Sequence, residues 1–146
     1  MVNKNLIPIG HGIRDLLVTL PSPSGGMLRA YSFDEVPMSF NEFPVAIILP
    51  GSIEYHADFQ ADIDLVFRII VLTEAPDQAT ALSQLIPYTE VDGDFSLNKL
   101  FGTAKPQTLG GTADDAHLTK NLGIGSTVWG SPVPFLSTEF ELLVWA

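Results

Sequence analysis

The chain has 146 residues, no cysteine, and 17 acidic against 7 basic side chains, which gives a formal net charge of −10. Seven scattered cations are too few to displace counterions from nucleic acid, so tight DNA or RNA binding is excluded, and an acidic chain is repelled by anionic lipid. The lack of cysteine excludes disulfides, thiol catalysis and cysteine-ligated metals, and no apolar run reaches the roughly 18 residues of a membrane span.

The first 50 residues predict one helix and two strands. An apolar stripe at three- and four-residue steps predicts a helix from Asn3 to Leu20, and a short strand is expected from Leu28 to Phe33. Asp34 to Phe43 contains a proline and mixed polarity, which favours a loop. The continuous apolar run within Pro44 to Pro50 is typical of a strand covered on both faces, with Pro50 and Gly51 expected to end it.

The clearest periodicity in the chain lies between Phe59 and Leu72. Every second residue from Phe59 to Val71 is apolar, which predicts a long strand with one face in the core. The alternate positions begin with Gln60, Asp62 and Asp64 and become apolar toward Leu72. The second face is therefore expected to change from acidic to apolar along the strand.

The second half of the chain predicts two helices, two strands and a long loop. A helix is expected from Thr73 to Pro87 and a shorter one from Ser96 to Phe101. A strand follows from Ala113 to Thr119, and the Gly-, Ser- and Pro-rich segment from Asn121 to Pro134 is interpreted as a long loop or an extended hairpin arm. The last strand is predicted from Phe135 to Trp145.

This order of elements indicates an α+β fold in one domain spanning residues 1–146. We expect a mostly antiparallel or mixed β-sheet with the two main helices packed on one face and with extended loop arms. The length suits one core, and no repeat or linker divides the chain.

A metal site is conceivable at one end of the long strand. His56, Asp58, Asp62 and Asp64 share a face there if the strand extends back to the histidine, which would suit a small metal-dependent hydrolase. Nothing in the spacing fixes the ligand geometry as a helical HExxH motif does, so a solvated acidic face is the favoured interpretation.

Other catalytic patterns are missing from the sequence. Asp114 and Asp115 are adjacent, so on a strand they point to opposite faces and cannot form a carboxylate pair; a role in a turn or strand entry after Gly110 and Gly111 is favoured. No phosphate-binding loop or GxSxG elbow is complete. We therefore expect a protein that is not an enzyme and needs no metal or other cofactor.

Four carboxylates occupy alternate positions, opposite the core-facing residues, on the two longest predicted strands. Asp62 and Asp64 lie on one, and Glu139 and Glu141 on the other. If the strands are neighbours, these side chains share one face, and their repulsion is small only where that face meets water. An ordinary solvated face and a deliberately negative surface both remain open as interpretations.

The order of short motifs resembles the tail terminator proteins of lambda-type phages with long, non-contractile tails. An amphipathic N-terminal helix comes first, and a final strand ends the chain. After the helix come six short motifs, the last of which lies in the final strand. In chain order they are Pro50-Gly51-Ser-Ile-Glu-Tyr55, Val71-Leu-Thr-Glu-Ala75, Leu85-Ile-Pro-Tyr88, Ser96-Leu-Asn-Lys-Leu100, Leu109-Gly-Gly-Thr-Ala-Asp-Asp-Ala116 and Glu139-Phe-Glu-Leu-Leu-Val-Trp145. The resemblance covers nearly the whole chain.

This resemblance implies a structural virion protein, assembled in the host cytoplasm. Such proteins form a homohexameric ring on the head-proximal end of the tail tube, stop its polymerisation and provide the surface that joins the head. The implied partners are further copies of the chain, the tail tube protein and the head–tail connector or stopper proteins. DNA passes through the lumen without specific binding, and no membrane is involved.

Several residue patterns agree with that implication. Charged residues make up only 16% of the chain, which suits large subunit contacts. Ile124, Val128 and Trp129 in the expected arm are apolar and would need a partner. The four carboxylates on the long strands would suit a lumen that repels passing DNA.

The alternative functions are another neck component (an adaptor or connector), a tail tube protein, the metal-dependent hydrolase, or a non-viral binding module that oligomerises through the arm.

Overall fold

The computed structural model describes residues 6–23, 25–40, 42–55, 63–74, 78–104, 106–127 and 135–145. Three helices and five strands lie in these ranges, and a 3-10 turn covers Leu109–Gly111. In chain order they are α1 (Leu6–Leu17), β1 (Arg29–Ser32), β2 (Val45–Tyr55), β3 (Ile63–Thr73), α2 (Gln78–Thr89), α3 (Leu97–Gly102), β4 (Asp115–Thr127) and β5 (Phe135–Trp145).

The strands form one mixed sheet in the order β1-β2-β3-β5-β4. β1 pairs with β2 in parallel, and the other three pairings are antiparallel. The α+β fold expected from the sequence is confirmed. β3 is the central strand, so both of its edges are hydrogen-bonded, which agrees with its long apolar pattern.

All three helices contribute to one core on a single face of the sheet. Alternate residues of β2, β3 and β5 point to this face and pack against buried side chains of α1, α2 and α3. The helical members of this core are Ile9, Ile13, Leu17, Leu85, Tyr88, Leu97 and Phe101. A second, smaller cluster lies on the opposite face, where residues from the 34–43 loop cover Val45, Ile47, Ile70 and Leu72.

The edge of that smaller cluster is aromatic. The ring of Phe43 lies 5.4 Å from that of Phe135 and 6.2 Å from that of Phe40, which in turn lies 5.9 Å from Tyr31. These rings cover only the part of the face near β1 and the start of β5. The rest of that face has no helix or loop among the described residues packed on it.

Two predicted element boundaries were wrong because pairing between strands prevailed over the helix- and turn-forming residues at those positions. Pro50 and Gly51 were expected to end the second strand, but β2 continues to Tyr55 after a register shift between Pro50 and Ile53. Such a bulge lets a strand accommodate a proline, which cannot donate to the ladder. Thr73 was placed in a helix but is the last residue of β3, where it lies opposite Leu136.

Of the two interpretations of Asn121 to Pro134, the long loop is wrong and the extended hairpin arm is correct as far as Thr127. β4 continues to Thr127 and pairs with β5 as far as Phe135. Irregular pairing between Leu118 and Lys120 and between Asn121 and Ile124 explains why no alternating pattern was visible in the sequence. α2 ends at Thr89 and contains Pro87, two residues beyond the expected boundary.

A cluster of charged side chains joins α1 to the turn after β1. Arg14 donates from Nη1 to both carboxylate oxygens of Glu35, at 2.8 and 2.9 Å, and Glu35 also accepts from the backbone N–H of Ser32. His11 Nε2 lies 3.0 Å from a carboxylate oxygen of Asp34. The hydrogen bond from Arg14 lowers the pKa of Glu35 below its ordinary value of 4.5.

Replacing Gly51 should test the close approach of β2 to β3. A Cβ at this position would lie 2.6 Å from the carbonyl oxygen of Val66, so Gly51→Ala requires backbone movement. We expect it to lower the free energy of unfolding in urea by about 1–3 kcal/mol. Gly125→Ala is the matched control, because its Cβ would enter open space. Equal stability of the two variants would contradict the close approach.

Acid should weaken the contact between α1 and the turn. The folded-state pKa of Glu35 lies below its unfolded value, so its contribution is complete above about pH 4.5 and is lost as the pH falls through the folded value. Glu35→Gln should lower stability at pH 7 by up to about 1 kcal/mol and flatten the decline between about pH 5 and 3. Urea unfolding across pH measures both effects.

Glu42→Gln is the control for this experiment. Glu42 also binds an arginine, Arg29, but both side chains are more than half exposed. Its removal should change stability little. A pH dependence for Glu35→Gln as steep as that of the unsubstituted protein would refute the role of this carboxylate.

Candidate functional site

One face of the sheet lies opposite the helices. We call the part of it outside the aromatic cluster the open face. It is formed by alternate residues of the three strands β3, β5 and β4. The register places Arg68 beside Glu141, Val66 beside Leu143, and Asp64 beside Trp145. On the outer strand, His117 lies beside Leu143 and Lys120 beside Glu141. Because paired residues share a face, these side chains form one continuous surface.

Three of the four carboxylates expected to share a face do lie on the open face. Glu139 and Glu141 are separated by one residue of β5, and Asp64 lies at the other end, between Glu54 of β2 and Trp145 of β5. Asp62 lies outside the described residues. The neighbouring strands expected for this arrangement, β3 and β5, are directly hydrogen-bonded.

The open face carries cations as well as carboxylates, so it is not simply acidic. Arg68 donates a hydrogen bond to Glu139, and Lys120 Nζ lies 3.8 Å from a carboxylate oxygen of Glu141. Glu141 also accepts a hydrogen bond from the hydroxyl of Thr119, through its backbone oxygen at 3.0 Å. The two glutamates are therefore charge-balanced, and neither cation was predicted from the sequence to pair with them. Arg68 was visible in the alternating pattern, whereas Lys120 adjoined the expected loop.

The outer half of β4 is exposed on both sides of the sheet. Residues 119–126 are all solvent-exposed, including Leu122 at 50% and Ile124 at 41%. β4 is also the edge strand of the five described, so none of the other four pairs with the outer side of its backbone. Natural edge strands commonly carry bulges and charges that discourage random pairing, and the two irregularities of β4 together with Lys120 fit that description.

The residues proposed for a contact arm fall partly on this strand. Ile124 lies on β4 opposite Thr138, with its side chain exposed. Val128 and Trp129 lie outside the described residues. The arm from residue 121 is therefore a strand of the sheet as far as Thr127, and residues 128–134 connect it to β5.

The structure gives no support for the metal-site hypothesis. His56, Asp58 and Asp62 lie outside the described ranges, and among the residues within them no three histidine or carboxylate side chains come together to hold a metal ion. Asp115 instead accepts hydrogen bonds from the backbone N–H groups of Gln107, at 2.8 Å, and Ala116. It orders the entry to β4, as favoured from the sequence, while Asp114 is exposed.

The sequence was compared with protein-family models and with curated proteins. No family model matches the chain, and no curated protein matches it in sequence. Within the described ranges, no helix is both long and apolar enough to cross a membrane.

Removing Arg68 should show whether charge balance on the open face matters. Arg68→Gln leaves Glu139, whose side chain is only 22% exposed, without its cation. We expect the free energy of unfolding to fall by about 1 kcal/mol, with a smaller effect in high salt. The control is Lys99→Gln, because the Lys99–Asp92 pair is longer, at 3.6 Å, and mostly exposed. Identical losses in the two variants would refute a specific role for the Arg68–Glu139 pair.

Proposed function

We propose that this protein is a structural virion protein that forms a ring on the head-proximal end of a phage tail tube. The ring ends tube polymerisation and provides the surface to which the head attaches. The proposal takes its identity from the order of sequence motifs. The observation that carries it physically is the exposed outer half of β4.

Exposure of β4 argues for self-assembly. A strand of eight consecutive exposed residues, with Leu122 and Ile124 among them, leaves apolar surface in water on a chain that has few charges to keep copies apart. Burial in a neighbouring subunit would remove this exposure. A contact between two different surfaces of identical subunits repeats from copy to copy, and it closes into a ring where the rotation between copies returns to the first one.

The open face is the surface that we assign to the lumen. Its two strand cations, Arg68 and Lys120, are each engaged by a glutamate, so little positive charge is available there to hold phosphate. Asp64 and Glu54 add carboxylates at one end of the face. A wall whose two strand cations are engaged by glutamates allows DNA to pass and does not retain it.

Tail capping is the direct test of this function. Purified protein added to a lysate that contains tails without their terminator should restore infectivity and yield capped tubes of uniform length. The matched variants are Ile124→Asp, which places a charge on the exposed strand, and Met38→Asp, at an 85% exposed position on the 34–43 loop. Only Ile124→Asp should abolish ring formation in electron micrographs and lower the titre at least tenfold.

The outcomes separate the alternatives. A protein that stays monomeric and never caps tubes would refute the proposal. Restoration of lysates that lack an adaptor or connector, and not of those that lack the terminator, would assign the chain to another neck position. Incorporation along the whole length of the tube would identify a tube protein.

A further inference from the structure

A groove lies between the end of α2 and the middle of β4, on the helix side of the sheet. Its volume is about 370 Å³, within the roughly 300–1,000 Å³ typical of ligand pockets. Its aromatic and aliphatic lining consists of the buried Tyr88 and Phe140, the half-buried Leu118, and Val91, which is 80% exposed. The groove therefore offers apolar surface to a side chain from outside the subunit.

Hydrogen bonds fix the turn that borders this groove. Ser96 Oγ donates to the carbonyl oxygen of Glu90 at 2.5 Å, and Asn98 Nδ2 donates to that of Val91 at 3.0 Å. The hydroxyl of Tyr88 donates to the carbonyl oxygen of Pro21 at 3.2 Å, on the far side of its ring from the helix backbone. A groove held in this way binds at a lower entropic cost than a flexible one.

The polar side chains of the lining, apart from the tyrosine, are all engaged within the chain except one. Those that donate a hydrogen bond or form an ion pair with another described residue are Thr89, Asn98, Thr119, Lys120 and Asn121. The exception is Glu90, which is exposed and whose carboxylate has no partner among the described residues. The free polar group of the groove is therefore an anion.

The rest of the turn adds to this negative charge. Residues 90–94 carry three carboxylates, and Lys99 Nζ lies 3.6 Å from that of Asp92. Asp94, like Glu90, is exposed and forms no ion pair with a described residue. A ligand complementary to apolar surface beside uncompensated carboxylates has a large apolar side chain next to an arginine or lysine.

A second copy of this chain is poorly suited to supply that cation. Every described cation already pairs with a carboxylate of its own subunit; these are Arg14, Arg29, Arg68, Lys99 and Lys120. The other two, Lys4 and Lys105, lie outside the described residues. Two copies that each carry a net charge of −10 also repel each other. The charge balance therefore favours a different, basic chain.

We propose that the groove between α2 and β4 docks a basic segment of a different protein. A large apolar side chain of that segment occupies the groove beside Tyr88 and Leu118, and a neighbouring arginine or lysine pairs with Glu90. This inference goes beyond the proposed function and does not depend on it, because the groove belongs to the single subunit and is complete without a ring.

Disulfide capture of a peptide tests the groove. The chain has no native cysteine, so Val91→Cys places a single thiol at the site. The probe is a synthetic peptide of cysteine, glycine, arginine, phenylalanine and arginine, mixed with the protein at a fixed excess of reductant. We expect at least about fivefold more mixed disulfide by mass spectrometry than with Met38→Cys, whose position is 85% exposed and lies on the 34–43 loop.

Matched changes separate the apolar and the charged contributions. Adding Glu90→Gln to Val91→Cys should lower capture about two- to fivefold, the effect of one exposed ion pair. Adding Asp114→Asn, which removes the same charge at an exposed position outside the groove, should leave capture unchanged. Replacing the phenylalanine of the peptide by serine, or its arginines by glutamates, should reduce capture to the level of Met38→Cys.

A second measurement uses the unsubstituted protein. A peptide with serine in place of its cysteine should shift the amide resonances of Val91 and Leu118 and leave that of Met38 unchanged. Absence of these shifts would overturn the inference.

Several outcomes of the capture experiment would also overturn it. Equal capture by Val91→Cys and Met38→Cys would show that the groove does not select the peptide. Equal losses from Glu90→Gln and Asp114→Asn would leave only general attraction to an acidic protein. If Glu90→Gln instead dissociated the protein's own oligomer without changing capture, the groove would belong to a second copy of the chain.

Discussion

The antiparallel pairing of β3 with β5 is the interaction on which the rest of the structure depends. It extends over ten residue pairs, from Asp64 with Trp145 to Thr73 with Leu136, without a register shift. Because strand side chains alternate, this single register places one set of apolar residues against the helices and the other set on the open face. A shift of β5 by one residue would turn Glu139 and Glu141 toward the helices, away from Arg68 and Lys120, at a high cost for uncompensated charge.

The two faces of the sheet serve different purposes as a result. The helix side holds an extended apolar core, in which α1 packs over β1 and β2 while α2 and α3 pack over the strands beyond. Among the described residues, apolar cover on the opposite side is confined to the aromatic cluster, and beyond it the strands carry ion pairs. This asymmetry leaves one broad polar surface and one exposed edge strand available for contacts outside the subunit.

The proposed self-assembly gives a role to both the edge strand and the open face. Each feature by itself is ordinary: many proteins have an exposed edge, and paired surface charges contribute little stability. A subunit with an exposed edge strand and a separate polar sheet face offers two different surfaces, as a heterologous contact requires.

The sequence by itself determined the fold class, the element order and the core face of β3, because alternation and helical stripes follow directly from backbone geometry. It also located three of the carboxylates on one face. Only the tertiary structure decided that β2 passes through Pro50 and Gly51, that β4 extends to Thr127, and that Arg68 and Lys120 balance the glutamates. The reason is physical: bulges and ion pairs depend on which strand lies alongside, and cross-strand neighbours are far apart in sequence.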